Sequence, residues 1–129
     1  MKIAKAVIGP KGRIMIPREF LAHLGVEENH PLYLLLDENH KSIRVTNFDA
    51  HDIYEILITM SDKPGAVAWI STILYEHHFD IIFLEAHSVA RNKNAIWKSV
   101  GFFKGKYDLA NLKKELLKSG ATAVTVVKL

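Results

Sequence analysis

From Ile53 onward the chain keeps one rhythm that few architectures can satisfy. Ile53–Met60 reads as a strand, and Ser61–Gly65 as a turn whose Pro64-Gly65 pair leads into a helix. Across 66–77 the pattern sets Val67, Ile70, Ile73 and Leu74 on one apolar stripe. Asp80–Ala90 is a strand, RNKN at 91–94 a turn, and Ala95–Lys104 a further strand. Asp108 is placed to N-cap a helix with the stripe Leu109, Leu112 and Leu116. Gly120 ends that helix and Ala121–Val127 is the last strand. The order is β-α-β-β-α-β, which predicts a four-stranded antiparallel sheet with both helices on one face, the ferredoxin-like arrangement.

The first 46 residues follow a different plan. Residues 3–8, IAKAVI, and 13–16, RIMI, read as strands around the turn GPKG at 9–12. Pro17 opens a short helix, PREFLAHL, at a position where its missing N–H costs nothing, and Gly25 ends it. Leu32–Asp37 and Ser42–Thr46 form a second strand pair around DENHK. So small a unit buries too little surface to stand alone, and a second copy of itself is the simplest remedy. NFDAHD at 47–52 is polar, lacks periodicity and reads as a short linker.

With 129 residues the chain has room for one ordinary domain or two small ones. Apolar residues are 49% and charged residues 24%, a composition that excludes wholesale disorder. The absence of Cys removes disulfides, thiolate nucleophiles and Cys-ligated zinc. No apolar run approaches the roughly 18 residues of a membrane span, and MKIAKAVIG reaches Gly-Pro too soon for a signal peptide. A cytoplasmic location is expected. The net charge of +3 is unevenly placed: Lys2, Lys5, Lys11, Arg13 and Arg18 face Glu19 alone, so residues 1–22 carry +4 and the rest −1. Such a patch is either the footprint of a polyanion binder or a solvated basic surface.

Residues 5–25, KAVIGPKGRIMIPREFLAHLG, resemble the AbrB/MazE-like swapped-hairpin family. Gly12-Arg13, the alternating Ile14 and Ile16, Pro17, Glu19 and Leu24-Gly25 carry the likeness, and YLLLDENHKSIRV looks like the second hairpin. The resemblance covers residues 1–48 and implies an intertwined, homodimeric β-barrel that binds double-stranded DNA, as a repressor or as an antitoxin. Lys5, Lys11, Arg13 and Arg18 would then face the duplex, where phosphate contacts supply most non-specific affinity. Several DNA-binding members carry a basic pair in the short helix, where this chain has Leu21 and Ala22. The alternative use of such a unit is dimerisation alone.

Residues 56–82, ILITMSDKPGAVAWISTILYEHHFDII, resemble an ACT domain through strand, Asp-x-Pro-Gly, amphipathic helix and strand. The element order extends the likeness over 52–129. It implies binding of a small effector, most often an amino acid, between copies of the domain. The expected site is Asp62, Lys63, Pro64, Gly65 and Ala66, with Asp80 facing a neighbouring copy. The chemistry is coherent: free N–H groups at the helix start hold a carboxylate, Asp62 takes an ammonium group, and Gly65 lets a ligand approach the backbone. The competing reading is a turn that only starts a helix, with Asp62 as its N-cap.

Other features carry less. Of seven His residues, His77 and His78 precede Asp80, yet adjacent helical residues point about 100° apart and do not share a metal. Trp69 and Trp97 read as packing residues. GFFKGKY at 101–107 lacks the RNP1 pattern of RNA-recognition strands. Lys113, Lys114 and Lys118 read as a solvated helix face. No catalytic motif stands out, so no enzyme, metal or cofactor is expected. The sequence therefore predicts an α+β protein: a dimeric swapped-hairpin β-barrel at 1–48 and a ferredoxin-like ACT-like domain at 52–129. The expected function is a ligand-responsive DNA-binding transcription regulator. The alternative is an effector-binding regulatory or assembly subunit of a metabolic enzyme, without DNA contact.

Overall fold

The computed structural model describes residues 1–48, 52–90 and 93–129. The chain divides into two compact units, Met1–Asp49 and Ala50–Leu129.

In the first unit a single 3-10 turn, Pro10–Gly12, reverses the chain. Lys11 (φ +61°) and Gly12 (φ +72°) both take the left-handed conformation, and the Gly9 N–H donates to the Arg13 carbonyl at 2.7 Å. The flanking segments 3–8 and 13–16, expected as strands, belong to no ladder within the chain. A strand exists only through hydrogen bonds to a neighbour, and a single chain supplies none here. The swapped-hairpin barrel is accordingly not shown by one chain. Helix α1 (Arg18–Leu24) follows, with Pro17 at the N-cap, one residue earlier than expected, and Gly25 (φ +69°) closing it. Strands β1 (Tyr33–Asp37) and β2 (Ser42–Thr46) form an antiparallel hairpin. Asp37 clamps its turn by accepting from the His40 backbone at 3.1 Å and contacting the His40 ring at 2.8 Å. The His40 backbone bond first, then the ring, hold the Asp37 carboxyl below its usual range. Asn47, expected in the linker, ties the unit together through His30 at 3.0 Å and the Leu24 carbonyl at 3.1 Å. The remaining linker residues 49–51 lie outside the described residues, as do 91 and 92 of the RNKN turn.

The second unit runs β3 (Tyr54–Ser61), α2 (Ala66–Glu76), β4 (Phe79–Ala90), β5 (Asn94–Phe103), α3 (Leu109–Lys118) and β6 (Ala121–Lys128). The strands form one antiparallel sheet in the order β4-β5-β3-β6. Alternation along β3 turns Tyr54, Ile56, Ile58 and Met60 into the core. Ile70, Ile73 and Leu74 of α2 and Leu112 and Leu116 of α3 close over them. Each such fully buried aliphatic side chain contributes about 1.5–3 kcal/mol. Val67, expected on the α2 stripe, is 49% exposed; Ala66 takes the inward place, because 66, 70, 73 and 74 share one helical face. Trp97 and Phe103 of β5 lie in the same core. Asp108 caps α3 as expected, accepting from the Asn111 N–H at 3.0 Å. Gly101 of β5 sits where β4 crosses closely: a β-carbon there would meet the Asp80 carbonyl oxygen at 2.0 Å. The β4–β5 register shifts between Ile81 and Phe83, beside this contact.

Candidate functional site

The loop from β3 to α2 is built by backbone bonds. The Asp62 N–H donates to the Lys93 carbonyl at 3.1 Å, and the Ala66 N–H to the Lys63 carbonyl at 3.2 Å. Gly65, at φ +85°, is the N-cap of α2, and no side chain caps the helix. Asp62 is thus not the cap. Its carboxylate accepts from the Ser88 hydroxyl of β4 at 2.7 Å. Lys63, Pro64 and Gly65 are exposed and Ala66 is buried. No atom lies within 4 Å of where a Gly65 side chain would stand, so the backbone is open to approach from that side. A helix start without a side-chain cap, an open glycine and a nearby carboxylate can hold a small molecule bearing carboxylate and ammonium groups.

Asp80 is not brought to this loop within one chain. It opens β4, whereas Ser88 lies eight residues on, roughly 26 Å along an extended strand. There Asp80 pairs with Lys104 at 3.2 Å.

In the first unit Lys5, Lys11, Arg13 and Arg18 are all exposed. None makes an ion pair among the described residues, because Glu19, the single acidic residue nearby, pairs with Lys2. Lys11 and Arg13 sit at and just after the reversing turn. Leu21 is half-buried and Ala22 exposed on α1. Beside the turn an apolar groove of about 640 Å³ is lined by Ile14, Ile16, Pro17, Phe20, Leu24 and Val45.

Three relations were not legible in the sequence. Ser88 meets Asp62 only through sheet register. His77 reaches Glu115 of α3 at 2.5 Å, joining the two helices. The Tyr54 and Tyr107 hydroxyls meet at 2.6 Å, and Phe103 stacks on the Tyr107 ring at 4.2 Å. That hydrogen bond, with burial, pushes the Tyr54 hydroxyl up to about 12. It also gives Phe103 of the GFFKGKY segment a packing role.

No protein-family model matches the chain, and no curated protein matches it. Solved structures match it by fold. It is similar to a formyltetrahydrofolate deformylase from Pseudomonas putida KT2440, with a TM-score of 0.52 and 11% identity, over 59% of this chain and 28% of that one. It is similar to the C-terminal domain of the MgtC protein from Mycobacterium tuberculosis (TM-score 0.51, 14% identity, 65% of this chain and 94% of that one). It is also similar to the ACT domain from the GTP pyrophosphokinase of Chlorobium tepidum (TM-score 0.50, 20% identity, 60% of this chain and all of that one). The chain spans little more than a quarter of the deformylase. At these identities the likeness is one of fold, and the fold is α+β of the ferredoxin-like, ACT type. Among the described residues no helix is long and apolar enough to cross a membrane.

Proposed function

We propose that this protein is a small-molecule-responsive regulator, whose ACT-type unit binds an amino acid or a similar metabolite and whose N-terminal unit pairs with a second copy and contacts DNA. The observation that carries the reading is the coexistence in one chain of a closed unit with an open helix-start loop and a basic unit without a core of its own. Val26 is the only buried residue among the described residues of the N-terminal unit. Ile3, Val7, Ile8, Met15, Leu34 and Leu36 are all more than half exposed. Apolar surface on that scale, next to segments with unpaired backbone, calls for a second chain. A homodimer or higher homo-oligomer would double the patch of Lys5, Lys11, Arg13 and Arg18.

In the ACT-type unit, the loop Asp62–Ala66 is the effector site, and Asp80 faces a neighbouring copy. The amino-acid ligand follows from the resemblance to ACT domains and from the loop's chemistry. Coupling requires that the effector bind two arrangements of the copies with different affinity. The protein acts by binding and not by catalysis.

The test is binding to sheared genomic duplex DNA at two salt concentrations, with and without a mixture of the common amino acids. The wild type binds with a steep salt dependence that the mixture changes. Lys11→Ala and Arg13→Ala each lower the slope of log affinity against log salt by about one. Asp62→Ala abolishes the response to the mixture while the Trp97 core stays folded, and Gly65→Val abolishes it at a cost in stability, because Gly65 holds φ +85°. Absence of binding at both salts rejects the DNA contact and leaves the regulatory or assembly subunit of a metabolic enzyme as the reading.

A further inference from the structure

The bond between Asp62 and Ser88 joins residues that lie 26 positions apart in the chain. Asp62 leaves β3 just past Ser61, which pairs with Asn94 of β5. Ser88 belongs to β4, on the far side of β5, where it pairs with Ala95. Ala95 in turn pairs with Met60 of β3. Ser88, Ala95 and Met60 therefore form one row across three strands, and directly opposed residues share a face. Met60 lies in the core and Ala95 packs against it, so the row faces the helices. Two strands flanking a common neighbour lie about 10 Å apart. The Asp62 carboxylate thus crosses β5 to meet Ser88, and level with Ser88 that strand offers only the methyl group of Ala95.

Asp62 is held in two ways. Its N–H donates to the Lys93 carbonyl at 3.1 Å, which ties the backbone to the end of the β4–β5 hairpin. Its carboxylate accepts from the Ser88 hydroxyl at 2.7 Å, which ties the side chain to the edge strand β4. A hydroxyl donating to a carboxylate makes a charge-assisted bond, stronger than one between neutral groups. A carboxylate offers about four acceptor sites, so one bond from Ser88 orients it without exhausting it. Ser88 is also the last residue of β4 before the ladder with β5 shifts register, between Ser88 and Ala90.

We propose that Ser88 is a positioning residue of the effector site: its hydroxyl sets the direction of the Asp62 carboxylate, so that an incoming ammonium group meets an acceptor already in place. The inference rests on the proposed effector role of the Asp62–Ala66 loop. Ordering the carboxylate in advance lowers the cost of binding. The test compares full-length wild type, Ser88→Ala and Ser88→Thr; threonine keeps the hydroxyl and suits a strand. Calorimetric titration with each common amino acid selects the one that binds wild type most tightly, and its des-amino analogue serves as the control without an ammonium group. Ser88→Ala should weaken the amino acid about tenfold and leave the des-amino analogue at its wild-type affinity. Ser88→Thr should restore the affinity for the amino acid. Without ligand, the Asp62 amide should exchange about tenfold faster in Ser88→Ala than in wild type or Ser88→Thr. Equal losses for both ligands, an unchanged affinity for the amino acid, no rescue by threonine, or identical Asp62 exchange in wild type and Ser88→Ala would overturn the role of Ser88 and leave the effector site standing. Binding of no amino acid to the wild type would reject the effector site, and the role of Ser88 with it.

Discussion

The two units spend similar kinds of residues in opposite ways. In the C-terminal unit Ile56, Ile58, Ile70, Leu74, Leu112 and Leu116 are fully buried by partners in the same chain. In the N-terminal unit Ile3, Val7, Ile14, Leu34, Leu36 and Ile43 stay exposed, although they too lie in segments that read as strands. A β-α-β-β-α-β order supplies both the strands and the helices that cover them. One hairpin, a reversing turn and a seven-residue helix do not. On the proposed pairing of two copies, the stability of the first unit depends on protein concentration, and that of the second does not.

Substitutions should separate the units by this rule. The largest effect is expected from Gly101→Ala, where the added methyl meets a backbone carbonyl and the ring of Phe79. It should cost about 3 kcal/mol or more, equally at every protein concentration, and is read from the urea midpoint of the buried Trp97 fluorescence. Ile14→Asp is the counterpart in the first unit. Ile14 lines the apolar groove, so a carboxylate there should weaken self-association by about 2 kcal/mol while leaving the Trp97 transition in place. Sedimentation equilibrium with parallel urea melts checks both halves of that statement. A shift of the Trp97 transition that follows protein concentration would break the division.

The smallest effect concerns pH. Tyr54 keeps its proton up to about 12, held first by the Tyr107 hydroxyl and then by burial, against an ordinary value of 10. The folded state therefore binds this proton more tightly than the unfolded chain. The stabilisation is complete below pH 10 and is lost as pH rises from 10 through 12. Tyr107→Phe removes the partner, so Tyr54 should ionise at lower pH in the folded protein, as followed by the ultraviolet titration of the tyrosines, and the alkaline loss of stability should become smaller.

The same division sets what the sequence could reveal. The alternation of Ile56, Ile58 and Met60, the Asp108 cap and the glycine after α3 are local signals, and the structure realises them. Val67 was misplaced because helical spacing defines a stripe only to within one neighbouring residue. The Asp62–Ser88 bond and the close crossing at Gly101 follow from sheet register, which single-chain periodicity does not encode. Segments 3–8 and 13–16 have strand patterns without a strand partner in their own chain, so the strands expected there are not formed by one chain.

The most direct test of the central claim is amide hydrogen exchange at residues 3–8 and 13–16 of the full-length protein, measured over a wide range of protein concentration. If a second copy completes the N-terminal unit, these amides are protected, the protection grows with concentration, and Ile14→Asp removes it. Immediate exchange at every concentration, with the β3 amides protected throughout, would contradict the account and leave the first unit an open appendage of a self-sufficient ACT-type fold.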